Sequence, residues 1–264
     1  MDYGNYLDRL HTQAGAFQLD AYASVLEAGR DLSLIRLTLP GARELVITAG
    51  FHGEEPAGPL TLLEHLPEIA EAARAADVGL RIYPCINPSG FERGTRYNAS
   101  GEKPNNDFLR YEVAPGEWKG ELAHGEAFLR HVLYDGGPKE TKALRAELER
   151  FPAPAAALDL HQDAALPGSC TYAYFFGERA PYVRLMEAGG AHAQVARSMM
   201  VDEGIYSDPD GLIVFHDGSV TDYYWRRGVK WVAALETTTR TPMPQCHAIN
   251  LGWVLGFIEL AAGR

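Results

Sequence analysis

With 264 residues, 46% hydrophobic and 22% charged, the chain has ordinary globular composition and ample length for a large core. Its 24 basic and 35 acidic residues give a formal net charge of -11, which argues against nucleic acid or an anionic membrane as the main partner. No apolar run reaches membrane-spanning length, and three scattered cysteines without a C-x-x-C pair suit reduced thiols better than a disulfide framework.

The first fifteen residues lack a basic start and an apolar core, so they do not read as a signal peptide; the expected location is cytoplasmic. "LSLIRLTLP" and "ELVITAG" are rich in β-branched and apolar residues and flank "PGAR", which reads as a hairpin turn. A helix follows in "PLTLLEHLPEIAEAARAA", then a buried strand in "LRIYPCIN". Residues 87–125 carry many Gly, Pro and Asn residues with little periodicity, the mark of a functional or disordered loop. "PKETKALRAELERF" has helical spacing, and "AALDLHQD" and "CTYAYFFGE" read as strands. "PYVRLMEAGGAHAQVARSMM" reads as a helix, "VKWVAALETTT" as an apolar strand, and "HAINLGWVLGFIELAAG" as a closing helix. No internal repeat or low-complexity linker interrupts the pattern. The expected fold is α/β, one domain over residues 1–264, with a central mixed, mostly parallel sheet flanked by helices.

In such sheets ligands gather at the carboxyl ends of strands. His52 follows "ELVITAG", Asn87 follows "LRIYPCI", His161 follows "AALDL" and Glu236 ends "KWVAAL". Four polar residues in equivalent places make a candidate site. In "HGEE", His52 and Glu55 stand three apart on the same side of a turn, and a distant His161 would complete a two-His, one-carboxylate set. Pro56 pushes Glu55 towards extended geometry and suits a first helical position, so Glu55 should sit at a helix start. Glu54 is then a solvent-facing or supporting acid. For "HGEE" alone a solvated turn is an equal reading; His161 tips the balance. Glu236 after "WVAAL" is a buried carboxylate that needs either an ion-pair partner or a task.

"GFHGEEPAG", "NPSGFERGTRYNASG", "NNDFLR", "LDLHQD" and "ALETTT" occur in the order found in zinc carboxypeptidases of the carboxypeptidase A and B family, which the chain resembles over residues 44–238. The resemblance implies an α/β fold, one zinc ion and hydrolysis of an amide bond in a small peptide. It implies His52, Glu55 and His161 as metal ligands and Glu236 as the general base that activates the hydrolytic water. It further implies Arg96 as the oxyanion-stabilising cation, with Arg110, Asn98 and Val220 on the substrate. Asp107 would orient a ligand histidine. Arg93 reads better as a surface ion pair.

Two departures stand out. Where the family has D-L-N-R, this chain has Asp107-Phe108-Leu109-Arg110, which removes an asparagine that helps hold the substrate carboxylate; Asn105 or Asn106 would have to compensate. Counting back from "DGS", the family's mobile tyrosine falls near Ile213, so Tyr206, Tyr223 or His216 would have to reach in from elsewhere. Val220 suggests a pocket not built for a basic side chain. The chain is also short for a digestive-type enzyme and is expected to work without an activation segment, which would suit small peptides or amide-linked metabolites inside the cell. Two alternatives stand beside the peptidase: a deacylase of the aspartoacylase and succinylglutamate desuccinylase branch, and a non-catalytic zinc or ligand-binding module. No G-x-S-x-G elbow supports a serine hydrolase. Oligomeric state is not legible.

Overall fold

The computed structural model describes residues 1–264. After α1 (Tyr3–Gln13), strands β1 (Gln18–Glu27) and β2 (Arg30–Leu39) form an antiparallel hairpin. Ala28 and Gly29 turn the chain at positive φ, 49° and 76°, the geometry of a tight two-residue turn. The expected hairpin across "PGAR" does not form. β3 (Arg43–Ala49) pairs in parallel with β4 (Val78–Tyr83), and β4 lies between β2 and β3. Gly41 allows this crossing, because a Cβ there would sit 2.0 Å from the Gly79 nitrogen.

Helix α2 (Ala57–Ala75) connects β3 to β4, and α3 (Pro88–Arg93) follows β4. The segment read as one long loop contains structure of its own. β5 (Leu109–Ala114), β6 (Glu117–Lys119) and β7 (Arg130–Leu133) form a small antiparallel sheet. Then come α4 (Lys139–Leu148), β8 (Ala156–Asp163) and β9 (Cys170–Phe176). The helix expected from "PYVRLMEAGGAHAQVARSMM" stops early: α5 (Ala180–Gly189) ends at the glycine pair. Short strands β10 (Gln194–Val195), β11 (Met200–Asp202), β12 (Ile205–Tyr206) and β13 (Leu212–Ile213) lead to α6 (Val220–Arg226), β14 (Trp231–Thr238) and α7 (Met243–Ala262).

The main sheet has nine strands in the order β1-β2-β4-β3-β8-β14-β9-β10, with β13 also on β9. It is mixed and mostly parallel, as expected, in a single α/β domain. Both of its faces are covered, which explains the unbroken apolar runs in the sequence. Ile47, Leu158 and Leu235 face the larger core, with Leu62 of α2 and Trp253 and Phe257 of α7. Val46, Ala157 and Val232 point the other way, onto a smaller core with Phe108, Leu144 and Tyr223. Each fully buried large side chain contributes about 1.5–3 kcal/mol by leaving water. The strand alternation also puts Asp159, His161 and Glu236 on the smaller core's side. β3, β8 and β14 are consecutive parallel neighbours, and Glu236 stands opposite His161 in register. Two strands far apart in sequence therefore bring these residues together at the carboxyl end of the sheet.

Candidate metal centre

The turn after β3 places two side chains. Gly50 ends the strand at φ 69°, and the Glu55 N–H donates to the His52 carbonyl at 3.2 Å, closing the turn. Gly53 packs against the backbone of α3, where a Cβ would meet the Gly90 carbonyl carbon at 1.9 Å. Pro56 is the N-cap of α2, one residue earlier than expected, and Gln162 Oε1 accepts from the Ala57 N–H at 2.8 Å. Glu55 is thus held between a rigid turn and a helix start.

His52 Nδ1 lies 2.7 Å from Glu55 Oε1, and His161 Nδ1 lies 2.7 Å from Glu55 Oε2. All three residues are at least 96% buried. Their candidate ligand atoms lie within 4.8 Å of one another. On the far side of the ring, His161 Nε2 lies 2.7 Å from Asp159 Oδ2, and Thr48 Oγ1 donates to Asp159 Oδ1 at 2.8 Å. A carboxylate only accepts, so Asp159 holds the proton on Nε2 and leaves the Nδ1 lone pair facing Glu55. A lone pair 2.7 Å from a carboxylate oxygen is repulsive unless a proton or a metal lies between them. The donor set fits a divalent metal: two imidazole nitrogens and one carboxylate, with a fixed tautomer on one side.

Electrostatics around the cluster follow from burial and its three charges. Burial opposes charge on Glu55, yet His52 and His161 hold its carboxyl far below the usual range. Burial likewise opposes a charged His161, but Asp159 and Glu55 raise it well above the ordinary imidazole value. His52 goes the other way: burial outweighs Glu55 and lowers it. The Gln162 N–H also donates to Glu55 Oε2, at 3.1 Å.

A cavity of about 250 Å3 opens over this cluster, lined by His52, His161, Arg96, Lys103, Asn105 and Glu236 among others. Burial pushes the Glu236 carboxyl well above its usual range; His161 opposes that shift and Glu55 adds to it. Its Oε2 is buried and has no hydrogen-bond partner. A buried carboxyl with a free oxygen on the cavity wall is a candidate for moving a proton. Arg96 donates to Glu55 Oε1 at 3.1 Å and to Glu54 Oε1 at 3.3 Å, so Glu54 steers the guanidinium.

Arg110, Asp107, Asn98 and Val220 lie off the cavity wall. Arg110 donates to Asp107 at 2.6 Å and sits 3.8 Å from the Tyr134 ring centroid. Asp107 is occupied by that pair, and the carboxylate against His161 is Asp159 instead. Asn98 is buried between Glu102 (2.8 Å) and Glu140 (2.9 Å). Val220 begins α6 inside the smaller core, while its neighbours Ser219, the N-cap, and Thr221, in the first turn, line the cavity. Asn105 and Asn106 do reach the cavity, while Leu109 is buried in the core. Tyr223 is buried in the same core, and His216 is paired with Asp222 at 2.8 Å.

Sequence reasoning missed Asp159, Lys103, Tyr174 and Asp217. Asp159 was recoverable, since two residues along a strand return to the same face. Tyr174 was not, because it reaches the cavity through the antiparallel pairing of β9 with β14, opposite Ala234.

The profile of the succinylglutamate desuccinylase/aspartoacylase catalytic domain matches residues 41–205. The chain belongs to this family. The matched stretch contains His52, Glu55, Arg96 and His161; Glu236 lies beyond it. Three-dimensional likeness extends across the whole domain. A candidate metallopeptidase from Shewanella baltica OS155 is 25% identical, with a TM-score of 0.76 over 98% of this chain and 92% of that one. A metallo-carboxypeptidase from Burkholderia cenocepacia is 15% identical, with a TM-score of 0.65 over 97% of this chain and 67% of its own. Bovine thrombin-activatable fibrinolysis inhibitor, solved with tick carboxypeptidase inhibitor, is 14% identical, with a TM-score of 0.67 over 100% and 96%. No curated protein matches the chain. Family and neighbours point to a hydrolase of the zinc carboxypeptidase-like superfamily, and the carboxypeptidase resemblance read in the motifs holds at the level of the fold. No helix is long and apolar enough to cross a membrane.

Proposed function

We propose that this protein is a zinc-dependent amide hydrolase acting on small peptides or peptide-like amides. The observation that carries this reading is the meeting of His52, Glu55 and His161 with the unpartnered Glu236 carboxyl and Arg96 on one cavity. Zinc held by the two Nδ1 atoms and Glu55 would supply Lewis acidity and lower the pKa of water. Glu236 takes the proton of the attacking water and returns it to the leaving amine. Arg96, fixed by Glu54 and Glu55, faces the charge that develops on the carbonyl oxygen. Asp159 keeps His161 in the tautomer whose Nδ1 is free to bind. Arg110 is committed to Asp107 and Tyr134, so recognition of a terminal carboxylate falls to Lys103.

A second reading, hydrolysis of N-acyl amino acids, is favoured by the family to which the chain belongs. A purely binding module has no use for an unpartnered Glu236. The three cysteines are free and buried, in keeping with a reducing compartment such as the cytoplasm. Metal analysis of the purified protein, and a panel of free and C-terminally amidated peptides beside N-acyl amino acids, test the proposal. Glu236→Gln is expected to keep its metal and lose about 100- to 10,000-fold in kcat. Full activity in that variant would exclude Glu236 as the base. Turnover of N-acyl amino acids alone would select the second reading.

A further inference from the structure

The catalytic cavity is smaller than the usual range of about 300–1,000 Å3 for ligand pockets. It is not isolated. Glu121, Asp202, Ile205 and Phe215 line both this cavity and an adjoining groove of about 1510 Å3. Two elements build the junction: the segment after β6, which carries Glu121, and the β11–β12 hairpin, which carries Asp202 and Ile205.

Charge is distributed unevenly along this path. Arg96 and Lys103 line the inner cavity only. The groove has two cations of its own, and both are taken. Lys119 pairs with Glu126 at 2.6 Å, and Arg179 pairs with Asp208 and, at 2.6 Å, with Asp210. Glu121, Asp202 and Glu203 line the groove without an ion-pair partner. Asp217, deeper in, is already engaged by Asn106 Nδ2 at 2.8 Å and the Ser219 N–H at 3.0 Å. Beside the free carboxylates lie Phe215, Ile205, the 62%-exposed Tyr206 and the 50%-exposed Val214. Unpaired carboxylates over an apolar and aromatic floor suit an alkyl chain that ends in an ammonium or guanidinium group.

We propose that this groove is a substrate subsite, and that it selects chains carrying a basic side chain beyond the atoms at the metal centre. Glu121 and Asp202 meet the charge at the junction, while Ile205 and Phe215 take the aliphatic stem. The proposal rests on the hydrolase reading for the chemistry, but the recognition it describes is measurable without turnover. It also reverses what Val220 suggested in the sequence, since Val220 is in the core and the groove's acids come from other segments.

The test uses the zinc-loaded protein and short peptides in which Lys, norleucine or Glu is walked through each position. At one position, the Lys peptide is expected to exceed its norleucine counterpart by about tenfold in kcat/KM, mostly through KM. The Glu peptide should fall below both. The Lys-to-norleucine ratio should shrink towards one in the Glu121→Gln/Asp202→Asn double variant, and also in wild type at about 0.5 M salt. A ratio near one at every position in wild type, or a ratio untouched by the double variant, overturns the subsite. If no peptide is cleaved, calorimetric binding of the same peptides decides. Lys-dependent binding that weakens in the double variant supports the subsite while the hydrolase reading falls; equal binding of all three overturns it.

Discussion

Replacing Asp159 by asparagine keeps the shape of the side chain and changes one contact. The carboxamide oxygen of the variant can still accept from Thr48 Oγ1, now 2.8 Å away, but its amide nitrogen would face His161 Nε2 across the present 2.7 Å. Two N–H donors cannot share that space, so the imidazole proton is driven to Nδ1, covering the lone pair that the metal needs. Both partners are at least 97% buried, so the lost contact is a charge-assisted hydrogen bond shielded from water. Such bonds contribute about 1.5–3 kcal/mol, which matches the roughly 10- to 100-fold loss in metal affinity expected on removing a partner of this kind. Competition against a fluorescent zinc chelator measures that affinity directly. Melting of the metal-free proteins checks that they fold alike, and the rise in melting temperature on adding zinc should be smaller in the variant. Zinc binding by Asp159→Asn as tight as wild type would refute the assignment of His161 Nδ1 as a ligand atom.

The other predictions concern stability. Burial raises the Glu140 carboxyl from 4.5 to about 7; Asn98 opposes the rise, and Glu27 and Glu102 add to it, with Lys139 bound to Glu27 at 2.7 Å. The folded state therefore keeps this proton between about pH 4.5 and 7 while the unfolded state releases it, so stability falls as pH rises through that window. At about 1.4 kcal/mol per tenfold, Glu140→Gln should gain about 3 kcal/mol on wild type between pH 4.5 and pH 8, or about 6 °C in Tm for 264 residues. Parallel stability curves for the two proteins would remove the buried acid from the account. Gly53→Ala should cost about 3 kcal/mol in chemical denaturation and weaken metal binding, because its methyl group would overlap backbone at Gly90 and Phe91. Gly252→Ala, at an exposed site in α7 with open space around it, is the control and should stabilise by about 0.5–1 kcal/mol.

Much of the candidate metal centre is local and was therefore legible. His52 and Glu55 share one turn, and glycine and proline dictate that turn within a few residues. The apolar runs before His161 and Glu236 announce strands buried on both faces, whose ends are where polar residues can gather. The continuous apolar character of β3, β8 and β14 also specified a covered, mostly parallel sheet. Which strands are neighbours is a different matter, because hydrogen-bonding edges carry no side-chain signature. "PGAR" looked like a hairpin turn, yet β4 lies between β2 and β3. Residue identity could not say that Arg110 would be spent on Asp107 and Tyr134, or that Val220 would turn into the core. Nor could it bring Glu121 and Asp202, 81 positions apart in the sequence, to the mouth of one cavity. Residue types and short spacings determined which polar groups the chain carries to its strand ends; the packing of distant segments decided which of those groups face the cavity.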